Sequence, residues 1–287
     1  MNQLYPLIDM PNKEYHQDDA KSSTDMRNIL KSEELFMSKL NEIIEPTKAM
    51  QQGTALHTYF LERDKFKDQV AVKSLDIKLT TKAGKEWLAE QKDKIIIDEE
   101  FYNVFPIIEQ KINSKASDIF RADGVKEASF FWKDKYDIDC KCRPDYLSPD
   151  FSYMIDLKTT TDASPRGFKS SVIKFNYAVQ AQFYIRGIKQ CTDTKPSKFY
   201  FIVIEKNKPY HVELYDLDET WLSIADKEID EALNAINEAW KNASEEMYKA
   251  QGDAAAQPGA ENSPNQESSK DSKDDVQDVD FEEVKED

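Results

Sequence analysis

The chain is short of cysteine, of positive charge and of long apolar runs, and each shortage excludes something. Cys140, Cys142 and Cys191 are the three thiols among 287 residues. An odd count in a chain without an export signal reads as reduced thiols in a cytoplasm. Three thiols also cannot complete an iron–sulfur site that needs four. The opening stretch MNQLYPLIDMPNKEYHQDD has no basic region followed by an apolar one, so export is not expected. No run approaches the roughly 18 apolar residues of a bilayer span, so no membrane partner is expected. The formal net charge is −16, from 39 Lys and Arg against 55 Asp and Glu. That argues against a polyanionic partner until the distribution is read. Residues 252–287 hold 12 acidic and 3 basic side chains, which leaves the first 251 residues at −7. A body so mildly acidic still accommodates a local basic groove.

What is present suffices for a sizeable core: 39% of residues are hydrophobic and 11% aromatic, ordinary values for a globular body. The last stretch has too few large apolar side chains to offset its ordering entropy. The chain therefore divides into one domain over 1–250 and a disordered acidic tail over 251–287, solvating or docking in role. No internal repeat is present.

Between residues 126 and 160 the pattern is strand-like. KEASFFWKDKYDIDCKCRPDYL reads as two strands turned at DKY (134–136), and SPD (148–150) turns the second into a third, SYMIDLKTT. FKSSVIKFNYAVQAQFYIRGI (168–188) reads as one helix, with Val172, Phe175, Val179, Phe183 and Ile188 near one face. SKFYFIVIEKNKPYHVELYDL reads as two strands joined at KNKP. Residues 219–251 read as one long helix whose stripe includes Trp221, Ile224, Ile229, Leu233, Ile236 and Trp240. Residues 28–62 and 83–118 read as mostly helical, the second with two helices around KDKIII. The sum is an α/β body with a mixed central sheet flanked by helices.

The chemistry gathers near the third strand. Asp156 and Lys158, two apart, point to one face. Taken alone, such a pair is usually a salt bridge at a strand end. Asp145, following a proline at the end of the preceding segment, changes that. Two carboxylates brought together repel unless a cation lies between them, and hard oxygen donors suit Mg²⁺ or Mn²⁺. A lysine beside them is suited to orienting a water and offsetting charge that grows on a phosphate. Gly53 and His57 are four apart on one helix, as are Gln180 and Tyr184 on another. Glu127 reads as an exposed strand-end glutamate rather than a further ligand. Arg143, Arg166 and Lys169 read as ordinary exposed cations rather than grips on phosphate. Cys140 and Cys142 read as structural.

In chain order, GTALH, RPD, DLKTT and QAQFY resemble the G-x-x-x-H, P-D, D-x-K and Q-x-x-x-Y motifs of the RecB-like branch of the PD-(D/E)XK nucleases. The flanks EYH, GTALHTYFLERDKF, GKEWLAEQKDKI and DLKTTTDASPRGFKSSVIKFNYAVQAQFY are similar to the RecE, exodeoxyribonuclease VIII, group of phage recombination exonucleases. The resemblance runs from about residue 15 to about residue 215. It implies a restriction-endonuclease-like core in which Asp145, Asp156 and the Leu157 carbonyl hold Mg²⁺, with Mn²⁺ as substitute. His57 is implied as a further ligand or a contact to the scissile phosphate, and Lys158 as the group that positions the attacking water. Gln180 and Tyr184 are implied to contact the DNA backbone or buttress the lysine. The implied reaction is 5′-to-3′ digestion of one strand at double-stranded DNA ends, leaving a 3′ overhang. The implied partners are a RecT-like single-strand annealing recombinase and further copies of the chain in a ring. The implied setting is the cytoplasm of a bacterial host.

Overall fold

The apolar run that ends in Lys158, Thr159 and Thr160 is the middle strand of the molecule, and the other elements are arranged by which side of it they cover. The computed structural model describes residues 10–40, 42 and 45–255. It opens with α1 (Asn12–Gln17), α2 (Ser23–Lys31), α3 (Glu33–Lys39), α4 (Lys48–Leu61), α5 (Phe66–Gln69) and β1 (Val70–Lys73). There follow α6 (Lys82–Glu90), β2 (Ile95–Asp98), α7 (Glu99–Tyr102) and α8 (Phe105–Ala116). The strands β3 (Val125–Lys126), β4 (Phe130–Lys133), β5 (Asp139–Cys142), β6 (Tyr146–Leu147) and β7 (Tyr153–Thr160) come next. Last are α9 (Pro165–Phe175), α10 (Tyr177–Thr192), β8 (Lys198–Glu205), β9 (Val212–Asp216) and α11 (Glu219–Ala255).

Five strands make one mixed sheet in the order β3-β6-β7-β8-β9, with β7 and β8 parallel and the other neighbours antiparallel. The mixed α/β architecture expected from the sequence is the one observed. Parallel β7 and β8 require a crossover, which α9 and α10 supply. Seven of the eight β7 residues are buried, because both faces of the sheet are covered. Met154, Phe199, Phe201 and Val203 face one core with side chains of α2, α10 and α11. Ile155, Leu157, Ile202 and Ile204 face a second core with α4 and α8. Asp156 and Lys158 continue the Met154 side by strand alternation, toward the α10 layer.

Several expected boundaries move. The second strand of the hairpin breaks at Arg143-Pro144-Asp145: β5 pairs with β4, while β6 joins the main sheet. The helix expected over 168–188 is two helices, divided at Asn176, whose backbone is left-handed (φ 50°). Asparagine tolerates that conformation better than most residues. Ile95–Asp98 within KDKIIID pairs in parallel with β1 rather than linking helices. In α11 the stripe of Ala225, Ile229, Ala232, Leu233 and Ile236 is buried, but Ile224 and Trp240 are exposed at its margins. That helix runs to Ala255, and the acidic tail expected beyond it lies, from residue 256, outside the described residues. No helix among the described residues is long and apolar enough to cross a membrane.

Candidate active site

The site begins where β6 stops. β6 pairs with β7 through Tyr146–Ile155 and Leu147–Met154, and the same register extended by two residues sets Pro144 opposite Leu157. Proline has no N–H to give a ladder partner. The main-chain groups of Leu157 on that edge are taken by side chains instead. Its N–H donates to Asp145 Oδ2 at 2.6 Å, and its carbonyl accepts from His57 Nε2 at 2.9 Å. A carbonyl only accepts, so Nε2 carries the proton in this contact. A neutral His57 then keeps its Nδ1 lone pair, which lies 3.6 Å from Asp145 Oδ2. A ring N–H donated to a backbone carbonyl, with the other nitrogen left as a donor, is the arrangement that orients metal-binding histidines.

Glu127 completes this group. Ligand atoms of His57, Glu127 and Asp145 all lie within 4.8 Å of one another. Glu127 follows β3 with a left-handed backbone (φ 52°), and its N–H donates to the Asp145 carbonyl at 3.3 Å. It is half-buried and lines the cleft, which corrects its reading as an exposed strand-end residue. Burial first, then the charges of Asp145, Glu62 and Asp156, push its carboxyl well above the usual range, with Arg143 opposing. Crowded carboxylates raise one another's pKa unless a cation relieves them. One imidazole nitrogen and two carboxylates fit a hard divalent ion. Sequence reasoning set Glu127 aside as an exposed strand-end residue because it lies 18 residues before Asp145 in no recognised motif.

Asp156 and Lys158 form a second group across the same cleft. Lys158 Nζ lies 3.1 Å from Asp156 Oδ2, with side chains 7% and 5% exposed respectively. So buried a pair is costly to desolvate and needs further hydrogen bonds. Gln180 Nε2 donates to Asp156 Oδ1 at 3.0 Å. The Lys158 ammonium also sits 4.6 Å from the centre of the Tyr177 ring. The break at Asn176 places Tyr177 at the start of α10, and Gln180 and Tyr184 follow on that helix. Burial, then Cys142 and Asp156, push the Tyr184 phenol far up, so it stays a hydrogen-bond donor. The expected residues therefore converge as two groups, with Asp145 and His57 beside Glu127, and Asp156 and Lys158 beside Gln180.

Both groups line one cleft of about 510 Å³. Its far wall is the N-terminal segment, clamped by two cations. Arg143 donates to Ser129 Oγ, Asn12 Oδ1 and the Met10 carbonyl, and its guanidinium lies 4.3 Å from the Tyr15 ring centre. Lys141 Nζ donates to the carbonyls of Tyr15 and Asp18 at 2.6 and 2.8 Å. Arg143 is thus a buried clamp, contrary to its reading as an exposed cation. His16 lines this wall, and burial, then Lys141 and Arg143, lower its imidazole to about 4. Arg166 and Lys169 are exposed on α9, as expected. The three cysteines are buried and free, consistent with structural roles.

Among solved structures, the chain is similar to a protein from Eubacterium rectale described as a "Putative exonuclease", at a TM-score of 0.57 and 16% identity, over 81% of this chain and 88% of that one. It is also similar to a phage related exonuclease from Haemophilus somnus 129PT, at a TM-score of 0.38 and 12% identity, over 86% and 99%. An alkaline exonuclease from Laribacter hongkongensis matches at a TM-score of 0.29 and 13% identity, over 64% and 99%. The first of these likenesses is one of fold. A family model, described as a PDDEXK-like domain of unknown function (DUF3799), matches residues 22–256, which include all the residues of both groups. The chain belongs to this PDDEXK-like family.

Proposed function

We propose that this protein is a divalent-metal-dependent DNA exonuclease that hydrolyses phosphodiester bonds, acting 5′ to 3′ on double-stranded ends and leaving a 3′ single-stranded overhang. The observation that supports it most is the meeting, in one cleft, of the His57–Glu127–Asp145 group and the buried Asp156–Lys158 pair. Membership of a PDDEXK-like family supports the same reaction class.

His57 Nδ1 and the carboxylates of Asp145 and Glu127 would hold the ion, with Asp156 and the remaining lone pair of the Leu157 carbonyl as the further donors the sequence points to. Mg²⁺ is the natural occupant, with Mn²⁺ as substitute. The bound ion supplies Lewis acidity toward the phosphate and lowers the pKa of water. Lys158 directs its ammonium protons at the attacking water and at the negative charge growing on the phosphate oxygens. Gln180 fixes Asp156, and Asp156 fixes Lys158, so the ammonium is oriented before substrate arrives. Water adds to phosphorus in line with the departing 3′ oxygen, leaving a 5′-phosphate. Strand polarity, a ring of subunits, a RecT-like annealing partner and a bacterial cytoplasm follow from the motif resemblance and belong to this proposal.

The test is digestion of a linear duplex labelled separately at its 5′ and 3′ ends, with Mg²⁺ and with chelator, beside a closed circular duplex. Early loss of the 5′ label, an intact circle and no reaction in chelator are expected. A cut circle would replace the exonuclease with an endonuclease on the same residues. No metal-dependent loss from any substrate would leave a DNA-end-binding module.

A further inference from the structure

Helix α9 leaves the end of β7 five residues after the last strand position and carries cations without carboxylates. Its eleven residues, PRGFKSSVIKF, contain Arg166, Lys169 and Lys174 and no Asp or Glu, in a chain whose net charge is −16. Phe168, Ser171 and Val172 are buried beneath it, so the three cations, Pro165, Ser170 and Ile173 make up its solvent face. Among the described residues none of the three cations is in an ion pair, and Lys174 Nζ lies 4.9 Å from the centre of the Phe175 ring. The charge of Arg166 is felt by Asp162, before the helix, but that carboxyl is held down first by Ser164 and least by Arg166. Ile173, 60% exposed, stands in the middle of this face.

The helix is tied to an element that lines the cleft. Arg27 donates through Nη1 to the Phe175 carbonyl at the end of α9 (3.1 Å) and through Nη2 to Thr24 Oγ1 (2.7 Å), and Thr24 lines the cleft. At the other end four residues, 161–164, join the helix to the strand that carries Asp156 and Lys158. Residues 166 to 174 span about 12 Å of helix, the length of three to four phosphates along one stacked strand at about 3.4 Å each.

We infer that the solvent face of α9 is a binding track for single-stranded DNA beside the cleft, with Arg166, Lys169 and Lys174 on successive phosphates and Ile173 against a base. Cations without a carboxylate partner in an acidic chain fit a polyanion. An exposed apolar side chain among them fits a strand whose base faces are open, which a stacked duplex does not offer along its length. This rests on the nuclease reading for the identity of the polymer, but binding is measured without catalysis.

The experiment is fluorescence anisotropy of a labelled oligothymidine with the full chain in chelator, from 50 to 200 mM salt. It is run for the wild type, for R166Q/K169Q/K174Q, and for K82Q/K85Q/K92Q, which removes equal charge elsewhere. Three phosphate contacts to a single strand contribute about 2 to the salt slope, so the wild type loses about 20-fold more affinity than the α9 variant across that range. The control variant keeps the wild-type slope. Ile173→Ser weakens the oligothymidine about fivefold or more and leaves a blunt duplex unaffected. An unchanged slope in the α9 variant, or an equal change in the control, overturns the track. Duplex digestion by a wild type that binds no oligothymidine overturns it too and leaves the nuclease reading standing. An α9-dependent slope in a protein that digests nothing keeps the track and removes the nuclease reading; neither binding nor digestion removes both.

Discussion

Pro144 stands opposite Leu157 in the register that pairs β6 with β7, and the carbonyl left without a ladder partner is the one that holds His57. The proline before Asp145 thus acts by what it lacks. Two residues before Tyr146, it keeps β6 from extending further along β7, and the Asp145 side chain takes the Leu157 N–H at 2.6 Å. Pro144→Ala restores an N–H that competes for the Leu157 carbonyl. Misplacing a reacting group by about 1 Å costs up to about 100-fold in rate, so a loss of tenfold or more in digestion is expected with an unaltered far-ultraviolet spectrum. Wild-type turnover in this variant would show that the proline has no part in placing His57.

Lys158 and Asp156 are a buried pair, so activity and stability respond differently to their loss. In the proposed reaction Lys158→Ala removes the charge aimed at the phosphate, and a fall of about 10² to 10³ in turnover is expected. It also strands Asp156 at 5% side-chain exposure, which costs about 3 kcal/mol or more. The double variant D156N/K158M, with no charge to strand, is expected to regain most of that stability in urea unfolding and none of the activity. A stable, fully active K158A protein would remove the lysine from the mechanism.

Glu127 is held above its usual pKa by burial and by Asp145, so a divalent ion in the site relieves a strain that the metal-free protein carries. In thermal unfolding, Mg²⁺ is expected to raise the wild-type midpoint, by the equivalent of about 2.7 kcal/mol at a hundred times the dissociation constant. Glu127→Gln is expected to melt higher than wild type in chelator and to gain less from Mg²⁺. Equal gains in the two proteins would take Glu127 out of the ligand set.

His16 sets a pH limit on the clamp over the cleft. Its imidazole is lowered from 6.5 to about 4, by burial and then by Lys141 and Arg143. The unfolded chain therefore binds more protons than the folded one between those values, and stability falls as pH falls through that window. The loss attributable to His16 is about 3 kcal/mol, complete near pH 4 and absent above about 7. Urea midpoints at pH 7, 5.5 and 4.5 are expected to converge on a flatter profile in His16→Gln, and an identical profile in the two proteins would refute the assignment.

Much of the architecture is legible from local pattern. The D-x-K run reads as a strand because alternation and apolar content agree, and it is buried on both faces as that content requires. The hairpin at 134–136 and the strands around KNKP follow from turn chemistry, and β4-β5 and β8-β9 pair as expected. The errors occur where two local signals compete. Residues 168–188 have continuous helical periodicity, but one left-handed Asn176 divides them and brings Tyr177 against Lys158. Arg143 looks like any exposed cation, yet its guanidinium is filled by Ser129, Asn12 and Met10 from two distant segments.

The candidate site divides in the same way. The sequence by itself named the candidates: Asp145, Asp156, Lys158, His57, Gln180 and Tyr184 stand in motifs whose spacing and family resemblance pointed to one site, and all of them line the cleft. Only the tertiary structure decided how they are grouped. It set Asp145 with His57 rather than with Asp156, recruited Glu127 from the turn after β3, and gave Asp156 to Gln180 and Lys158. The reason is physical: periodicity fixes the direction of a side chain relative to its own element, whereas the neighbours of a carboxylate depend on where a two-residue strand ends and on which other elements pack across its edge.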